Sequence, residues 1–391
     1  MITWIIRILA RLQRCQLLTL FGVSPVRIRA FQECQAPSLK VSDGLSTVWF
    51  HASSLGELEM LRPLIDDLTQ RDIKVGVSVF SESAISALHE IQDRLVFAGF
   101  SPREDQWEDF FKAFGVRKIV LSKYDFWPGL LRGARVLSLP LIVVNAEWRR
   151  SLDWMVRLFA CGHEPLPDIR FLVNHGENAS IEELVRRFGA RQVKIGMNPR
   201  FERVSRRITT QKDSHARQKV EAWLKRIAQL PRPILMVGSA WPEDLDFLLP
   251  ELFGFTGALV VVPHVLNKSE LDQFKGILER ALPGHHLLVE EMGILVELYG
   301  AADRAFVGGG FGKGIHSTLE PAVCGIPTAC GPKRVDRFPE TRDLIRSGAL
   351  VVCQNRDDLR QWLENSKPKC LSKEVLDNLR NDYQRLLEEC L

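Results

Sequence analysis

Two series of alternating strands and helices constrain the fold of this chain more than any other feature. The stretches rich in β-branched and apolar residues that we assign to strands are STVWFHA, KVGVSVF, RKIVLS and LPLIVVNA in the first half, and PILMVGS, ALVVVPH, HHLLVE, RAFVGGG and PTACG in the second. Helical patterns separate them. This alternation predicts parallel sheets covered by helices, and 391 residues suffice for two such domains.

The boundary between the two series falls in the polar, charged stretch FERVSRRITTQKDSHARQK, which we interpret as a linker. The predicted organisation is an N-terminal segment at 1–35, a first domain at 36–205, the linker and the start of the second domain at 206–230, a second domain at 231–372 and a C-terminal helix at 373–391. Ligands of open parallel sheets bind where the strands end. Candidate functional residues are therefore those that follow the strands.

A glycine-rich stretch, VGGGFGKGIHSTLEPAVCGIPTACGP, follows the strand RAFV at residues 307–332. It does not match the P-loop, because Gly314 stands where Ser or Thr should follow Lys313, and it lacks the third glycine of the dinucleotide fingerprint. A strand that ends in glycines before a helix can still present N–H groups to an anion. The nearby His316 and Glu320 favour ligand binding over the alternative, a plain turn.

Two glutamates have capping-box spacing and are also the best functional candidates. Ser54 and Glu57 fit S-x-x-E after the first strand, and Ser317 and Glu320 fit it after the glycines. Each glutamate could simply cap a helix. Alternatively, Glu57 could remove a proton from an acceptor hydroxyl, with Gly56 letting the substrate approach, and Glu320 could bind a ribose.

Weaker candidates follow other strands. Lys123 and Asp125 come after RKIVLS, and Asp125 could instead cap the next helix. Ser239 could bind a phosphate or cap a helix, and Arg200 has the planar fork that suits phosphate or carboxylate, unless it is an exposed linker arginine. His316 could donate to a phosphate or be an ordinary loop histidine.

The N-terminal segment is basic and has no acid before Glu33. Arginines at i, i+4 and i+7 would share one face of a helix, opposite an apolar face. The basic face consists of Arg7, Arg11 and Arg14, and the apolar face of Ile5, Ile8, Leu9 and Leu12. The longest uncharged run, 15–26, falls short of the roughly 20 residues of a membrane span. We predict an amphipathic helix on an anionic membrane surface; the alternative is a surface helix docked on the protein.

Composition excludes other classes. A net charge of +4 is too small to indicate a nucleic-acid partner. The eight cysteines form no C-x-x-C motif and have no zinc-like spacing with histidine, which predicts reduced thiols in a cytoplasmic compartment and no metal site.

Seven stretches, in order, resemble the 3-deoxy-D-manno-octulosonic acid (Kdo) transferases of lipid A biosynthesis. They are FHASSLGELEMLRPLI, KYDFWPGLL, VNAEWRRS, GMNPRFERV, VGSAWPED, VVPH and YGAADRAFVGGGFGKGIHSTLEPAVCGIPTACGP. The resemblance implies a GT-B fold, with two Rossmann-like domains facing a central cleft, the acceptor in the first and the nucleotide sugar in the second. It implies CMP-Kdo as donor, a lipid A precursor at the cytoplasmic face of the inner membrane as acceptor, and an inverting reaction with no metal or other cofactor.

The resemblance also carries residue roles. Glu57 falls on the family's catalytic base and Glu320 on the glutamate that holds the ribose. The implied donor site comprises Gly308, Gly309, Gly310, His316, Ser317, Glu320, Ser239, Arg200 and His264, and the implied acceptor site Ser53, Ser54, Gly56, Lys123 and Asp125. The chain departs from the common E-x-E-L-W-P, P-R-H and H-N motifs at 123–128, 263–265 and 316–317, which puts individual acceptor and phosphate contacts in doubt.

Two alternatives stay open from sequence. One is a GT-B enzyme that uses another nucleotide sugar on a lipid acceptor. The other is a non-catalytic relative that binds nucleotide or glycolipid at the membrane surface. The oligomeric state does not follow from the sequence.

Overall fold

The computed structural model describes residues 2–13, 46–123, 125–174, 178–196, 199–209, 214–281, 284–337 and 339–391. The chain divides into two compact units, which we call the first unit (Met1–Arg203 with Arg380–Leu391) and the second unit (Val204–Leu379). Each contains one parallel sheet. The predicted parallel α/β architecture is therefore confirmed.

The first unit has a seven-stranded sheet. Its strands are β1 (Thr47–Ala52), β2 (Lys74–Val79), β3 (Phe97–Phe100), β4 (Val116–Ser122), β5 (Leu141–Val144), β6 (Ile169–Asn174) and β7 (Val193–Gly196). Their order is β3-β2-β1-β4-β5-β6-β7, so β2 and β3 extend the sheet on one side of β1, and β4 to β7 extend it on the other. The strand order therefore reverses between β1 and β4, although all strands are parallel. Such a reversal opens a crevice at the carboxyl ends of the two strands, where α/β sheets bind their ligands.

One helix precedes these strands and the others follow them. They are α1 (Ile2–Gln13), α2 (Leu55–Gln70), α3 (Glu82–His89), α4 (Trp107–Ala113), α5 (Pro128–Val136), α6 (Arg150–Cys161), α7 (Asn178–Phe188) and α8 (Arg200–Thr209), with a 3₁₀ turn at Gln92–Arg94. A buried aromatic cluster around Trp49 fills the space between the sheet and α4. A Cβ on Gly76 would lie 2.6 Å from the Trp49 ring, so this large side chain depends on a glycine in the neighbouring strand.

The second unit has a six-stranded sheet built from short strands. They are β8 (Ile234–Ala240), β9 (Ala258–Pro263), β10 (His286–Leu288), β11 (Arg304–Val307), β12 (Thr328–Cys330) and β13 (Leu350–Val352). The order β10-β9-β8-β11-β12-β13 reverses between β8 and β11. The helices are α9 (Ser214–Ile227), α10 (Pro242–Leu248), α11 (Lys268–Ala281), α12 (Leu295–Tyr299), α13 (Leu319–Val323), α14 (Pro339–Ser347), α15 (Arg356–Glu364) and α16 (Lys373–Cys390), with 3₁₀ turns at Leu249–Leu252 and Val335–Arg337.

The stretch that we interpreted as a linker is mostly helical, because α8 and α9 occupy all of it except 210–213, which lie outside the described residues. The start of α8 is tied to the first unit by an ion pair between Arg203 and Glu59 of α2. The last turns of α16 also belong to that unit. The Tyr383 hydroxyl donates to Asp67 at 2.8 Å, and Glu389 pairs with Arg170 at 2.9 Å.

The N-terminal helix is formed as expected, but part of its surface packs on the protein. Ile6 and Ala10 are 4% and 3% exposed, and α1 packs against α5. This packing favours the docked-helix alternative for that face, while Arg7 is exposed. The side chain of Arg11 and all of Arg14 lie outside the described residues. Among the helices that the structure describes, we find none long and apolar enough to cross a membrane.

Candidate active site

Glu57 lies at the point where the strand order of the first sheet reverses, in the first turn of α2 directly after β1. Ser54 is the N-cap of this helix, with extended backbone angles that turn the chain from strand to helix. The Glu57 Oε2 accepts the N–H of Ser53 at 2.8 Å and that of Ser54 at 3.1 Å, and the Ser54 hydroxyl accepts the N–H of Glu57 at 3.4 Å. The predicted capping box is therefore present, and it fixes the orientation of the carboxylate.

The environment of Glu57 changes its acidity. The residue is 8% exposed. Burial, followed by the negative charge of Asp125, raises the pKa of Glu57 from 4.5 to about 7, against the lowering effect of Ser53, Lys123 and Ser54. A carboxyl group with a pKa near neutrality can take up and release a proton at physiological pH, which a helix cap does not require.

Asp125 follows β4 and lies at the centre of a buried polar network. Its Oδ1 accepts the Ser53 hydroxyl at 2.5 Å and the Trp127 indole N–H at 2.9 Å, and its Oδ2 lies 3.4 Å from His51 Nε2. The N-cap of α5 is Trp127, so Asp125 lies two residues before it and the capping alternative is wrong. The sequence indicated Asp125 only weakly, and it gave no signal for His51 inside β1.

Two basic residues lie near Glu57. Lys123 has a positive φ of 58°, which is unusual for a residue other than glycine, and its ammonium lies 3.7 Å from Glu147. Arg200 was predicted in the donor site. Its guanidinium is in the first unit, 3.5 Å from where a Cβ on Gly56 would stand. The structure therefore places Arg200 beside Gly56, among the residues around Glu57.

The glycine-rich stretch lies at the point where the strand order of the second sheet reverses, directly after β11. Added Cβ atoms would collide with backbone at three successive positions: Gly308 with the Ser239 carbonyl at 2.4 Å, Gly309 with the Gly314 carbonyl at 2.3 Å, and Gly310 with Gly331 at 2.5 Å. Ser239 itself has a positive φ of 52°, at an irregularity in the pairing of β8 with β9. The glycines allow the backbone to pack against itself.

Asp244 of α10 anchors this loop. It is 0% exposed, and its Oδ2 accepts the N–H of Gly309 at 2.7 Å and that of Trp241 at 2.9 Å. Burial raises its pKa to about 6. The Gly308 N–H is donated to the Gly238 carbonyl at 2.9 Å. In this structure the amides of Gly308 and Gly309 both donate hydrogen bonds within the protein.

A cluster of rings lies beside the loop. The imidazoles of His264 and His316 stack with centroids 4.0 Å apart, and Trp241 Nε1 donates to His316 Nε2 at 3.1 Å. The Lys313 ammonium lies 3.9 Å from the centre of the Trp241 ring. Burial and the Lys313 charge lower the pKa of His264. The structure thus brings together two of the predicted residues, His264 and His316, with two that the sequence did not single out.

Glu320 lies in the first turn of α13, whose N-cap is Thr318. Ser317 precedes the cap, so the alternative that Ser317 and Glu320 form a capping box is wrong. The pKa of Glu320 is raised overall. Burial is the largest cause, the charge of Arg207 opposes it, and the charge of Glu297 adds to it. Sequence reasoning missed Arg207 and Glu297, which lie 113 and 23 residues away in the chain. Within the described ranges, the structure shows no cluster of three His, Cys, Asp or Glu side chains that could hold a metal ion.

Comparison with known proteins shows which sequences and folds this chain resembles. The family model described as 3-deoxy-D-manno-octulosonic-acid transferase (kdotransferase) matches residues 25–203. Curated proteins named 3-deoxy-D-manno-octulosonic acid transferase extend the similarity beyond it. The one from Chlamydia muridarum is 25% identical over 81% of this chain and 77% of its own length, and the one from Aquifex aeolicus is 25% identical over 82% and 86%.

Solved structures show the same fold. The UDP-GlcNAc 2-epimerase from Neisseria meningitidis matches 88% of this chain and 99% of its own with a TM-score of 0.60, and MurG from Acinetobacter baumannii matches 88% and 99% with a TM-score of 0.56. Their identities of 12% and 14% indicate the GT-B fold alone. With this fold, the match to the family model and the curated relatives, the chain is similar to the 3-deoxy-D-manno-octulosonic acid transferases over most of its length and is a glycosyltransferase.

Proposed function

We propose that this protein transfers Kdo from CMP-Kdo to a hydroxyl of a lipid A precursor, with inversion and without a metal ion. The observation that carries the proposal is Glu57, a buried and oriented carboxylate at the carboxyl end of β1 with a pKa of about 7. A single displacement at the ketosidic carbon needs a base on the acceptor side, and Glu57 is suited to that task.

Glu57 has the geometry of a base that does not rotate. Two backbone N–H groups hold Oε2, and Oε1 is then the oxygen that takes the proton of the acceptor hydroxyl. Asp125 disfavours the charge on Glu57 and so increases its affinity for a proton. Lys123 acts in the opposite direction and keeps a useful fraction of Glu57 ionised near pH 7.

The second unit would bind the donor. Glu320 is suited to accept hydrogen bonds from ribose hydroxyls. The leaving nucleotide carries negative charge, and the ring cluster beside the glycine loop offers one ammonium, that of Lys313, and two imidazoles. Hydrogen bonds and positive charge from these side chains would stabilise the leaving group in the role that a metal ion takes in other transferases.

The acceptor is an amphiphile, so we place the enzyme at the cytoplasmic face of the inner membrane. The exposed Arg7 and the surrounding basic segment would contact anionic lipids, while the buried face of α1 stays docked on the protein. Sedimentation with vesicles of anionic and of zwitterionic lipids, at low and high salt, tests this. Equal binding to both lipid compositions would remove the electrostatic contact.

The function is tested by incubating the protein with a lipid A precursor and CMP-Kdo generated in situ, and following CMP release and lipid mass. We expect a mass gain of one or more Kdo units. Glu57→Gln should abolish it, and Glu90→Gln, an exposed carboxyl of the same unit, should not. No gain with CMP-Kdo but transfer from another nucleotide sugar would refute the donor. Full activity of Glu57→Gln would refute the base.

A further inference from the structure

The hydrogen bond between Trp241 and His316 determines where the imidazole carries its proton. An indole N–H can only donate, so the His316 Nε2 that lies 3.1 Å from it must present a lone pair. The neutral imidazole has a single N–H, which is therefore on Nδ1. The acceptor role of Nε2 also excludes the doubly protonated, charged ring as long as this hydrogen bond is present.

Both rings are held firmly. The Trp241 backbone N–H donates to Asp244, which also anchors the glycine loop. The His316 backbone N–H donates to the Gly308 carbonyl at 3.3 Å, and a Cβ on Gly309 would lie 3.1 Å from His316 Cδ2, so the ring packs directly on that glycine. The His316 ring also stacks on the His264 ring, with centroids 4.0 Å apart.

The charge distribution in the cluster is consistent with an uncharged His316. Lys313, 3.9 Å above the indole, already brings a positive charge. Burial, followed by that charge, lowers the pKa of the stacked His264 and so disfavours a charged ring, whereas Glu270 acts in the opposite direction. Two positively charged imidazoles stacked 4.0 Å apart would repel each other, so this stacking favours neutral rings.

We propose that Trp241 is a positioning residue of the donor site: it holds His316 as the Nδ1–H tautomer, so that an uncharged imidazole lies beside the glycine loop while Lys313 supplies the positive charge. The identity of the ligand, a cytidine nucleotide, rests on the proposed function. The tautomer and its dependence on Trp241 do not.

The tautomer is measured first, without ligand, from the imidazole ¹⁵N shifts of histidine-labelled protein, with His316→Asn to assign the signals. We expect the proton on Nδ1 in the parent protein. In Trp241→Phe, which keeps an aromatic ring but has no N–H, we expect the population to move toward the Nε2–H form. If Trp241→Phe unfolds, replacing Trp241 with 3-benzothienylalanine removes the N–H at constant shape. A proton on Nε2 in the parent, or an unchanged tautomer in the variant, would overturn the proposal.

Binding of CMP, measured by calorimetry, tests the consequence. We expect Trp241→Phe to weaken binding about tenfold and to raise the donor KM by a similar factor with kcat nearly unchanged. In the His316→Asn background the same change should have little further effect, because the coupled residues act as one unit. Trp223→Phe is the matched control, since Trp223 also carries a stacked cation, Arg226 at 4.3 Å.

The outcomes separate the two proposals. Full additivity of the Trp241 and His316 substitutions would overturn the positioning role even if CMP binds. A parent protein that binds no CMP would overturn the donor in the proposed function, and the tautomer measurement would still decide the role of Trp241.

Discussion

Glu57→Gln should make the protein more stable while it abolishes transfer. Glutamine keeps the size of the side chain and a capping oxygen for the N–H groups of Ser53 and Ser54, but it carries no charge. In the folded protein the pKa of Glu57 is about 7, whereas it is 4.5 in an unfolded chain. At about 1.36 kcal/mol for each pKa unit, the ionised carboxylate costs the fold about 3 kcal/mol.

The sign of this effect depends on pH. The pKa of Glu57 is higher in the folded state than in the unfolded state. Well below pH 4.5 both states are protonated, so Glu57 does not lower the free energy of unfolding of the parent protein there. The penalty grows as the pH rises from 4.5 to about 7 and is constant above that. The free energy of unfolding of Glu57→Gln should therefore exceed that of the parent by about 2–3 kcal/mol at pH 8 and by little at pH 5.

Urea unfolding between pH 5 and pH 8.5, followed by tryptophan fluorescence, measures this difference. Glu90→Gln, at an exposed position, should change little with pH. A difference between Glu57→Gln and the parent that does not vary with pH would show that the carboxyl titrates normally and is not tuned as a base. A loss of stability that grows as the pH rises would show that the charge stabilises the cap.

The other predictions concern the neighbours of these residues. Asp125→Asn should move the acidic limb of the pH profile of kcat/KM to lower pH, because it removes a charge that raises the pKa of Glu57, and Lys123→Met should move it to higher pH; shifts in the same direction would contradict the electrostatic account. Gly309→Ala should destabilise the protein by several kcal/mol in thermal unfolding, because φ is +89° and the new Cβ would collide with the Gly314 carbonyl; a folded variant of normal stability would show that the loop can move. Glu320→Ala should raise the donor KM more than it lowers kcat in steady-state assays, and an unchanged KM would contradict its ribose role.

The fold could be predicted because buried parallel strands are nearly continuous apolar runs. β1, β2, β8 and β9 each read in this way, and the structure contains all of them. Four strands were missed, namely β3, β6, β7 and β13. They are short or interrupted: β3 is FAGF, β7 is VKIG and β6 has Arg170 at its second position. Pairing with neighbours distant in sequence, not local composition, makes these residues strands.

The candidate site was predictable only in part. Capping-box spacing identified Glu57, but the carboxylate that shifts its pKa, Asp125, is 68 residues away and is brought close only by the pairing of β1 with β4. The glycine density correctly indicated close backbone approach. It could not show that Gly308 approaches Ser239 and Gly310 approaches Gly331, because those contacts also depend on strand order.

The two sheets share an arrangement at the points where their strand order reverses, and the difference between the two sites supports Glu57 as the reactive carboxylate of the proposed function. In each unit a carboxylate accepts two backbone N–H groups where a strand turns into a helix, and burial raises its pKa: Glu57 in the first, Asp244 in the second. Asp244 is 0% exposed and is enclosed by the loop that it anchors, so a substrate hydroxyl cannot reach it. Glu57 is anchored in the same way, through Oε2, but it is 8% exposed, so Oε1 remains accessible to a substrate in the proposed reaction. The exposure of Glu57 and the second acid beside it, Asp125, therefore support the proposed catalytic role of Glu57, whereas Asp244 holds the loop.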